Sequence, residues 1–124
     1  ISGLQSGLPA MLTHGVHARG LPLGELVRMM SAAPARLFGL DRQKGRLVPG
    51  ADADLVLIDP EADFTLHAGD LFYRNRHSAY VGARFRGAVK RTISRGVTVY
   101  EDGRIVGPAG HGRRLDGPAT GASR

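Results

Sequence analysis

Residues 31–59 read SAAPARLFGLDRQKGRLVPGADADLVLID, and within this stretch the sequence changes from helical to extended. Pro34 and Gly39 are predicted to delimit a last short helix, because the residue before a proline avoids helical geometry and glycine readily ends helices. Gly45 and Gly50 supply turns. Residues 55–58 are apolar at every position, which predicts a strand covered on both faces. We therefore expect a helical part followed by a β part, an α/β fold class.

A first helical pattern lies near the start of the chain. Its apolar stripe consists of Leu4, Leu8, Met11, Leu12 and Val16. The N-cap is either Ser2, with Gln5 completing a capping box, or Ser6, which places Pro9 in the tolerant first turn. Gly20 is the expected residue after the helix end.

A second helical pattern follows at once. Pro22 suits the first helical position, since its missing N–H has no intrahelical partner there. The residues that share one face are Leu23, Leu26, Val27 and Met30. Pro34 is predicted to stop this helix.

The second half of the chain has the pattern of short strands. A short extended piece is predicted at residues 46–48, before the apolar run at residues 55–58. Residues 89–94 and 97–100 alternate around Gly96 and predict a hairpin, and a further turn leads to Ile105 and Val106. From residue 107 onward glycine, proline, serine and arginine dominate without periodicity, which predicts a disordered tail over 107–124.

Composition excludes several classes of protein. The 124 residues allow one domain, and the absence of cysteine excludes disulfide scaffolds and thiolate chemistry. No apolar run approaches the roughly 20 residues that span a bilayer. The net charge of +6 comes mainly from arginines scattered singly along the chain, a pattern typical of a solvated surface rather than a nucleic-acid interface. We predict no membrane or nucleic-acid partner and a cytoplasmic location.

Several polar residues could carry chemistry, yet each group has a simpler structural interpretation. They are His14 and His17, the dipeptide His77-Ser78, and the carboxylates Asp52, Asp54 and Asp59. The histidine pair has metal-binding spacing but no third ligand. The His-Ser dipeptide has no partnered acid. The carboxylates are expected in a turn and at the two ends of the predicted strand.

Residues 31–59 resemble the C-terminal signature of the amidohydrolase superfamily. In that family this segment leads from the last helices of a metal-dependent (β/α)8 barrel into a small composite β-sandwich. Residues 1–9 resemble the loop and helix after the eighth barrel strand of cyclic-amide hydrolases. Residues 71–96 resemble most the allantoinase branch, and dihydroorotases more loosely. Ala79 departs from the pattern, because the family usually has proline there.

The resemblance implies three regions. Residues 1–44 would form the C-terminal end of the barrel, residues 45–106 a β-sandwich segment, and residues 107–124 the tail. Because the chain begins with Ile1 rather than methionine, we expect it to be part of a longer protein.

The resemblance also implies hydrolysis of a cyclic amide by two zinc ions held in part by a carboxylated lysine. The ligands of that centre would lie upstream, so no catalytic or metal-binding residue is assigned in this chain, which we expect to be inactive by itself. Ile1, Ser2 and Gly3 are the candidate substrate-binding residues, through their backbone or by packing behind it. The expected partners are a small cyclic amide and further copies of the same chain, often in a tetramer.

The function predicted from the sequence is that of an allantoinase-like enzyme. A dihydroorotase, or a hydantoinase or dihydropyrimidinase, is the alternative within the family. A non-catalytic scaffold with the amidohydrolase fold and a basic nucleic-acid-binding module are the alternatives from other classes.

Overall fold

The structure, a computed structural model, describes residues 3–115 of the chain. The first helical rod consists of α1 (Gly7–Met11) and a π-helical segment (Leu12–His17). Ser6 precedes α1 and Pro9 lies in its first turn, so of the two predicted starts the one at Ser6 is observed. Gly20 has a positive φ of 69° and donates its N–H to Val16, which ends the rod as predicted.

The second helical rod does not stop at Pro34, and that prediction is wrong. It comprises α2 (Leu23–Val27), a π-helical segment (Arg28–Ala32) and α3 (Ala33–Leu37). Pro34 occupies the first turn of α3. The wider π-helical turn before it changes the hydrogen-bond pattern, so the missing N–H of the proline interrupts nothing. Pro22 lies just before α2 rather than at its first position.

Gly39 ends the second rod in the predicted place. Its φ is +65°, and its N–H donates to the carbonyl of Arg36. The N–H of Leu40 donates to the carbonyl of Ala35 at 2.7 Å. These two bonds form a Schellman motif, in which glycine accepts the left-handed conformation at little cost.

The β part is one antiparallel sheet in the order β1-β2-β3-β4. The strands are β1 (Leu55–Thr65), β2 (Arg84–Ser94), β3 (Val97–Glu101) and β4 (Arg104–Ile105), and a short 3-10 helix occupies Ala68–Asp70. The predicted hairpin and the turn after it are confirmed. The predicted extended piece at residues 46–48 is wrong, because these residues continue the irregular connection from Leu40 to β1.

Strand β1 differs from its prediction in both length and burial. It continues through Asp59 and Pro60, which an edge strand tolerates where the register shifts between Asp59 and Asp63. Val56 is 51% and Leu57 is 45% exposed, so the prediction of cover on both faces is wrong for the described residues. The physical reason is that β1 pairs only with β2, and no described element packs over both of its faces.

The buried core lies where β1 ends and β2 begins. Its members are Leu66, Leu71 and Phe85, with Phe64, Tyr73 and Tyr80 packed around them. The first helical rod lies on β2 at this point, where the fully buried side chain of Leu12 meets Gly87. The hydroxyl of Thr13 joins the same two elements, accepting from the N–H of Arg86 at 2.9 Å. This packing fixes the π-helical segment that follows α1 against β2.

Residues 107–115 are not free of the sheet, although disorder was predicted from residue 107. The N–H of Gly107 donates to Val99, and the His111 ring nitrogen Nε2 lies 2.9 Å from the carbonyl oxygen of Ser94. Arg95 donates in turn to the carbonyl of His111. The remainder of the predicted tail, residues 116–124, lies outside the described residues. Within residues 3–115, no helix is long and apolar enough to cross a bilayer.

Candidate functional site

The segment just before α1 is held by the side chain of Gln5. The Gln5 amide nitrogen Nε2 donates to the carbonyl of Asp70 at 2.7 Å, and its Oε1 accepts from the N–H of Phe72 at 3.0 Å. The backbone N–H of Gln5 donates to the hydroxyl of Tyr73 at 2.8 Å. We call Gln5, Asp70, Phe72 and Tyr73 the clamp. Gln5 is 65 to 68 residues away from the other three in sequence, so the fold brings them together.

The loop that contributes Asp70, Phe72 and Tyr73 to the clamp is held in place by the core and by a local hydrogen bond. Leu71 is only 2% exposed and belongs to the core with Leu66 and Phe85. The Asp70 carboxylate accepts from the N–H of His67 at 2.8 Å, which closes the 3-10 turn. Because these contacts fix the backbone of residues 67–71, the carbonyl and N–H groups that meet Gln5 have a defined direction.

Gly3 lies close to Ser6 and to the ring of Tyr80. Its carbonyl accepts from the hydroxyl of Ser6, which is 2% exposed. A β-carbon at Gly3 would lie 3.9 Å from the ring of Tyr80, an ordinary contact distance. Tyr80 is itself packed near Phe85, with ring centroids 6.0 Å apart. Of the three substrate-binding residues predicted from the sequence, Gly3 is thus placed beside this loop, whereas Ile1 and Ser2 lie outside the described residues.

A groove of about 670 Å³ opens between the clamp and one face of the sheet. The clamp borders it with Gln5, Asp70 and Phe72. The remaining walls are mainly apolar and include Phe64, Leu66, Phe85, Val89, Val99, Tyr100 and Ile105. The walls are mainly apolar, and the Asp70 carboxylate on the border already accepts from the N–H of His67, so we interpret this groove as a surface for packing rather than for chemistry.

Lys44, Asp52 and Asp54 form the most buried charged cluster that is described. Lys44 Nζ lies 2.7 Å from Asp52 Oδ2 and donates to Asp54, which also accepts from the N–H of Arg95 at 2.7 Å. Burial raises the pKa of Asp54, but the hydrogen bonds from Lys44 and Arg95 outweigh it and hold that pKa below its usual value. Burial likewise lowers the pKa of Lys44, and the bonds to both carboxylates outweigh it, so the pKa is raised. The cluster joins the end of the helical part to the β2–β3 hairpin, which agrees with a structural role for the two carboxylates.

The other polar candidates also have structural contacts. The ring nitrogen Nε2 of His17 lies 2.7 Å from the carbonyl oxygen of Pro60. Ser78 is 6% exposed and its hydroxyl accepts from the N–H of Tyr80. Asp59 accepts from the N–H of Glu61 inside β1, so the prediction that it marks the end of the strand is wrong. Across residues 3–115, no three His, Asp or Glu side chains converge in a way that could hold a metal ion.

Sequence reasoning missed the clamp. The sequence predicts for Gln5 a local capping-box contact with Ser2 and a place in the stretch 1–9 that resembles cyclic-amide hydrolases, but no contact with residues 70–73. Tyr73 was one residue in the stretch that resembled allantoinases. Nothing in the spacing of two residues 68 positions apart indicates a hydrogen bond between them.

Comparison with known proteins gives a consistent family. Residues 4–99 match the model of the amidohydrolase family. Over 111 residues the chain is 54% identical to an allantoinase of Rubrobacter xylanophilus, covering 89% of this chain and 24% of that protein. It is 39% identical over 115 residues to a D-phenylhydantoinase of Escherichia coli, covering 93% of this chain and 25% of that protein.

Solved structures agree with this assignment. The L-hydantoinase (dihydropyrimidinase) of Arthrobacter aurescens superposes with a TM-score of 0.80 at 39% identity, over 84% of this chain and 23% of that one. The dihydropyrimidinase of Brevibacillus agri gives 0.83 at 31% identity, over 89% and 24%. The α/β fold class predicted from the sequence is confirmed by these likenesses. The chain spans about a quarter of the length of the relatives it matches.

Proposed function

The chain belongs to the amidohydrolase family, and on that premise we propose that it forms the C-terminal quarter of a cyclic-amide hydrolase that opens the ring of allantoin. The observation that carries this proposal is the match over residues 4–99 together with the higher identity to an allantoinase, 54%, than to a hydantoinase, 39%. Allantoinases and hydantoinases are both named for cyclic amides, which supports this substrate class. These relatives favour allantoin or a hydantoin over dihydroorotate.

The two zinc ions and the carboxylated lysine implied by the family do not fit the residues that the structure describes. No cluster of ligands converges within residues 3–115. The two lysines of the chain are engaged in ion pairs, Lys44 with Asp52 and Asp54 and Lys90 with Asp102 at 2.8 Å. We therefore assign no catalytic step and no metal ligand to this chain, and place both in the remainder of the longer enzyme.

Two contributions remain for this chain. The first is to present the backbone of residues 1–3 to the substrate ring, and of these residues Gly3 accepts a hydrogen bond from the hydroxyl of Ser6. The second is to complete the fold of the longer enzyme. Apolar side chains of the second helical rod and of β1 are exposed in the described residues, since Val27 is 54% and Val56 is 51% exposed. The remaining barrel strands and the other strands of a composite sandwich would cover these faces. The proposed boundary near residue 44 coincides with the Lys44 cluster.

The partners of the whole enzyme follow from the same proposal. A small cyclic amide is the substrate, and association of identical chains, often into a tetramer, is expected. The absence of a nucleic-acid partner stays a prediction, and three of the arginines pair with carboxylates in the described chain. These ion pairs are Arg28–Glu25, Arg86–Glu61 and Arg91–Glu101. A cytoplasmic location stays a prediction.

A chimera tests the proposal. The matching quarter of the Rubrobacter xylanophilus allantoinase is replaced by this chain, and the metal-loaded protein is assayed with allantoin, hydantoin and dihydroorotate. We expect the chimera to turn over allantoin at a rate within about tenfold of that of the host enzyme, because the exchanged part is 54% identical to the part that it replaces. A tenfold change in rate corresponds to about 1.4 kcal/mol of activation free energy. The isolated chain with zinc and the truncated host are the controls, and both should be inactive. A folded chimera without turnover of any cyclic amide would overturn the proposed function.

A further inference from the structure

We propose that residues 106–113 form a strap that fastens the tip of the β2–β3 hairpin to the helical part of the chain. His111 and Arg95 tie the strap to the hairpin. Arg113 lies in position to close on Asp52, which belongs to the charged cluster at the end of the helical part. This inference concerns how the two parts are held together, and it is independent of the proposed function.

The strap begins in close contact with β3. The N–H groups of Val106 and Gly107 both donate to the carbonyl of Val99, at 3.0 and 3.2 Å. A β-carbon at Gly107 would lie 2.8 Å from Cγ1 and 2.9 Å from Cα of Val99, well inside contact distance. The absence of a side chain at Gly107 therefore permits the strap to approach the strand this closely.

The middle of the strap and the hairpin tip are joined by two hydrogen bonds in opposite directions. The His111 ring nitrogen Nε2 lies 2.9 Å from the carbonyl oxygen of Ser94, and since a carbonyl only accepts, this nitrogen is the donor. The guanidinium of Arg95 donates to the carbonyl of His111. Both side chains are half-buried. Separating the strap from the hairpin tip therefore breaks both bonds.

Arg113 brings the strap to the charged cluster. Its Nη2 lies 3.9 Å from Oδ2 of Asp52, an oxygen that Nζ of Lys44 approaches to 2.7 Å. A carboxylate oxygen can accept more than one hydrogen bond, so Arg113 can serve as a second donor. An approach of about 1 Å would bring the guanidinium to the distance of a charge-assisted hydrogen bond. Two carboxylates share Lys44 here, which makes a further cation beside Asp52 favourable.

The charged cluster is itself in contact with the second helical rod. At Gly45, next to Lys44, a β-carbon would lie 2.5 Å from Cβ of Ala35 and 2.7 Å from the carbonyl oxygen of Ser31. Residues of α3 and of the π-helical segment before it thus meet this connection without space between them. The described contacts run from this rod, through the cluster and the hairpin tip, to the strap.

Loosening the strap should therefore also loosen the connection between the hairpin and the helical part. Gly107→Ala places a methyl group against β3 and should accelerate hydrogen exchange of the strap amides about five- to a hundredfold. His111→Ala removes one hydrogen bond and should accelerate it about three- to tenfold. Arg113→Ala should have an effect of about twofold that disappears in 1 M salt, because an exposed ion pair is weak and screened.

Each variant has a matched control. Gly112→Ala adds the same methyl group within the strap, where a β-carbon meets nothing within 4 Å. His77→Ala and Arg74→Ala remove an exposed histidine and an exposed arginine from the loop before β2, which enters the opposite end of that strand from the hairpin tip. These three controls should leave the exchange of the strap amides unchanged.

The experiment is amide hydrogen exchange of the 124-residue chain, followed residue by residue by NMR. The same segments are followed by mass spectrometry in the chimera described above, so that the result does not depend on the chain folding by itself. Three sets of N–H groups are compared, in the strap, at the hairpin tip and in the connection after the second rod. They are Val106, Gly107 and His111; Arg95 and Gly96; and Lys44 and Asp52.

The pattern of exchange decides the proposal. Faster exchange in all three sets for Gly107→Ala and His111→Ala, with the controls unchanged, supports the strap. Faster exchange confined to residues 106–113 overturns the link to the helical part. Unchanged exchange in these variants, or strap amides that exchange in the unaltered chain as fast as in an unfolded one, overturns the strap altogether. None of these results depends on turnover of a cyclic amide, so the strap and the proposed function fail separately.

Discussion

Gly87→Ala should be the most destabilising replacement of a glycine by alanine in the sheet. Gly87 lies in β2 with a φ of +109°, a conformation that is costly for residues with a side chain. A β-carbon there would lie 2.7 Å from Cδ1 and 2.8 Å from Cβ of Leu12, far inside contact distance. Leu12 is fully buried and cannot move aside. Backbone strain of about 1–3 kcal/mol and overpacking of about 1–3 kcal/mol give an expected loss of about 2–6 kcal/mol.

Gly96→Ala is the matched control. Gly96 also has a positive φ, +79°, but a β-carbon there meets nothing within 4 Å, so only the strain of about 1–2 kcal/mol applies. Urea unfolding of both variants, followed by far-UV circular dichroism at low protein concentration, gives the two losses. Equal losses at Gly87 and Gly96 would refute the argument that helix and strand are in contact at this point.

Two further predictions concern stability. The pKa of Asp54 is lowered in the fold, so its contribution to the free energy of unfolding is present above about pH 4 and is lost as the pH falls through the lowered value. The pKa of Lys44 is raised, so its contribution to the free energy of unfolding is lost as the pH rises above about 10.5. In urea titrations at several pH values, the free energy of unfolding of Asp54→Asn should fall less steeply below about pH 4 than that of the unchanged chain. An equally steep fall would contradict the ion-pair argument. Phe85→Ala should cost about 3–5 kcal/mol in the chain, whereas Val56→Asp should cost under about 1 kcal/mol there, since Val56 is half exposed. Similar losses for the two would show that the core is wrongly located.

Local chemistry made much of the fold predictable. Gly20 and Gly39 end helices because each can adopt a positive φ, and Gly96 turns the hairpin for the same reason. These features depend on a few neighbouring residues. Local chemistry gives the wrong prediction at Pro34, where the helix continues instead of ending. The effect of this proline depends on the π-helical turn before it, and no simple periodicity in the sequence marks such a turn.

The site was less predictable, because it depends on contacts between distant residues. The family resemblance predicted a role in substrate binding for the segment at residues 1–3, and that role stays a prediction. It did not indicate what holds that segment. The clamp exists because the core residues Leu71 and Phe85 bring the loop to α1, and the hydrogen bonds of Gln5 follow from that packing. A sequence pattern cannot supply such a contact before the fold is known.

The burial of β1 shows how a correct pattern can give a wrong prediction for one chain. Residues 55–58 are apolar at every position, which is typical of a strand between two layers. In the described residues this strand has a neighbour on one edge and is largely open, with Val56 and Leu57 about half exposed. A strand that is apolar at every position is typically covered on both faces, and residues 3–115 do not provide that cover. The same reasoning applies to Val27 on the second helical rod, and under the proposed function both faces would pack against the remainder of the enzyme. Under the proposed function, Val56→Asp should therefore be far more damaging in the chimera than in the chain by itself, where the carboxylate can stay in water.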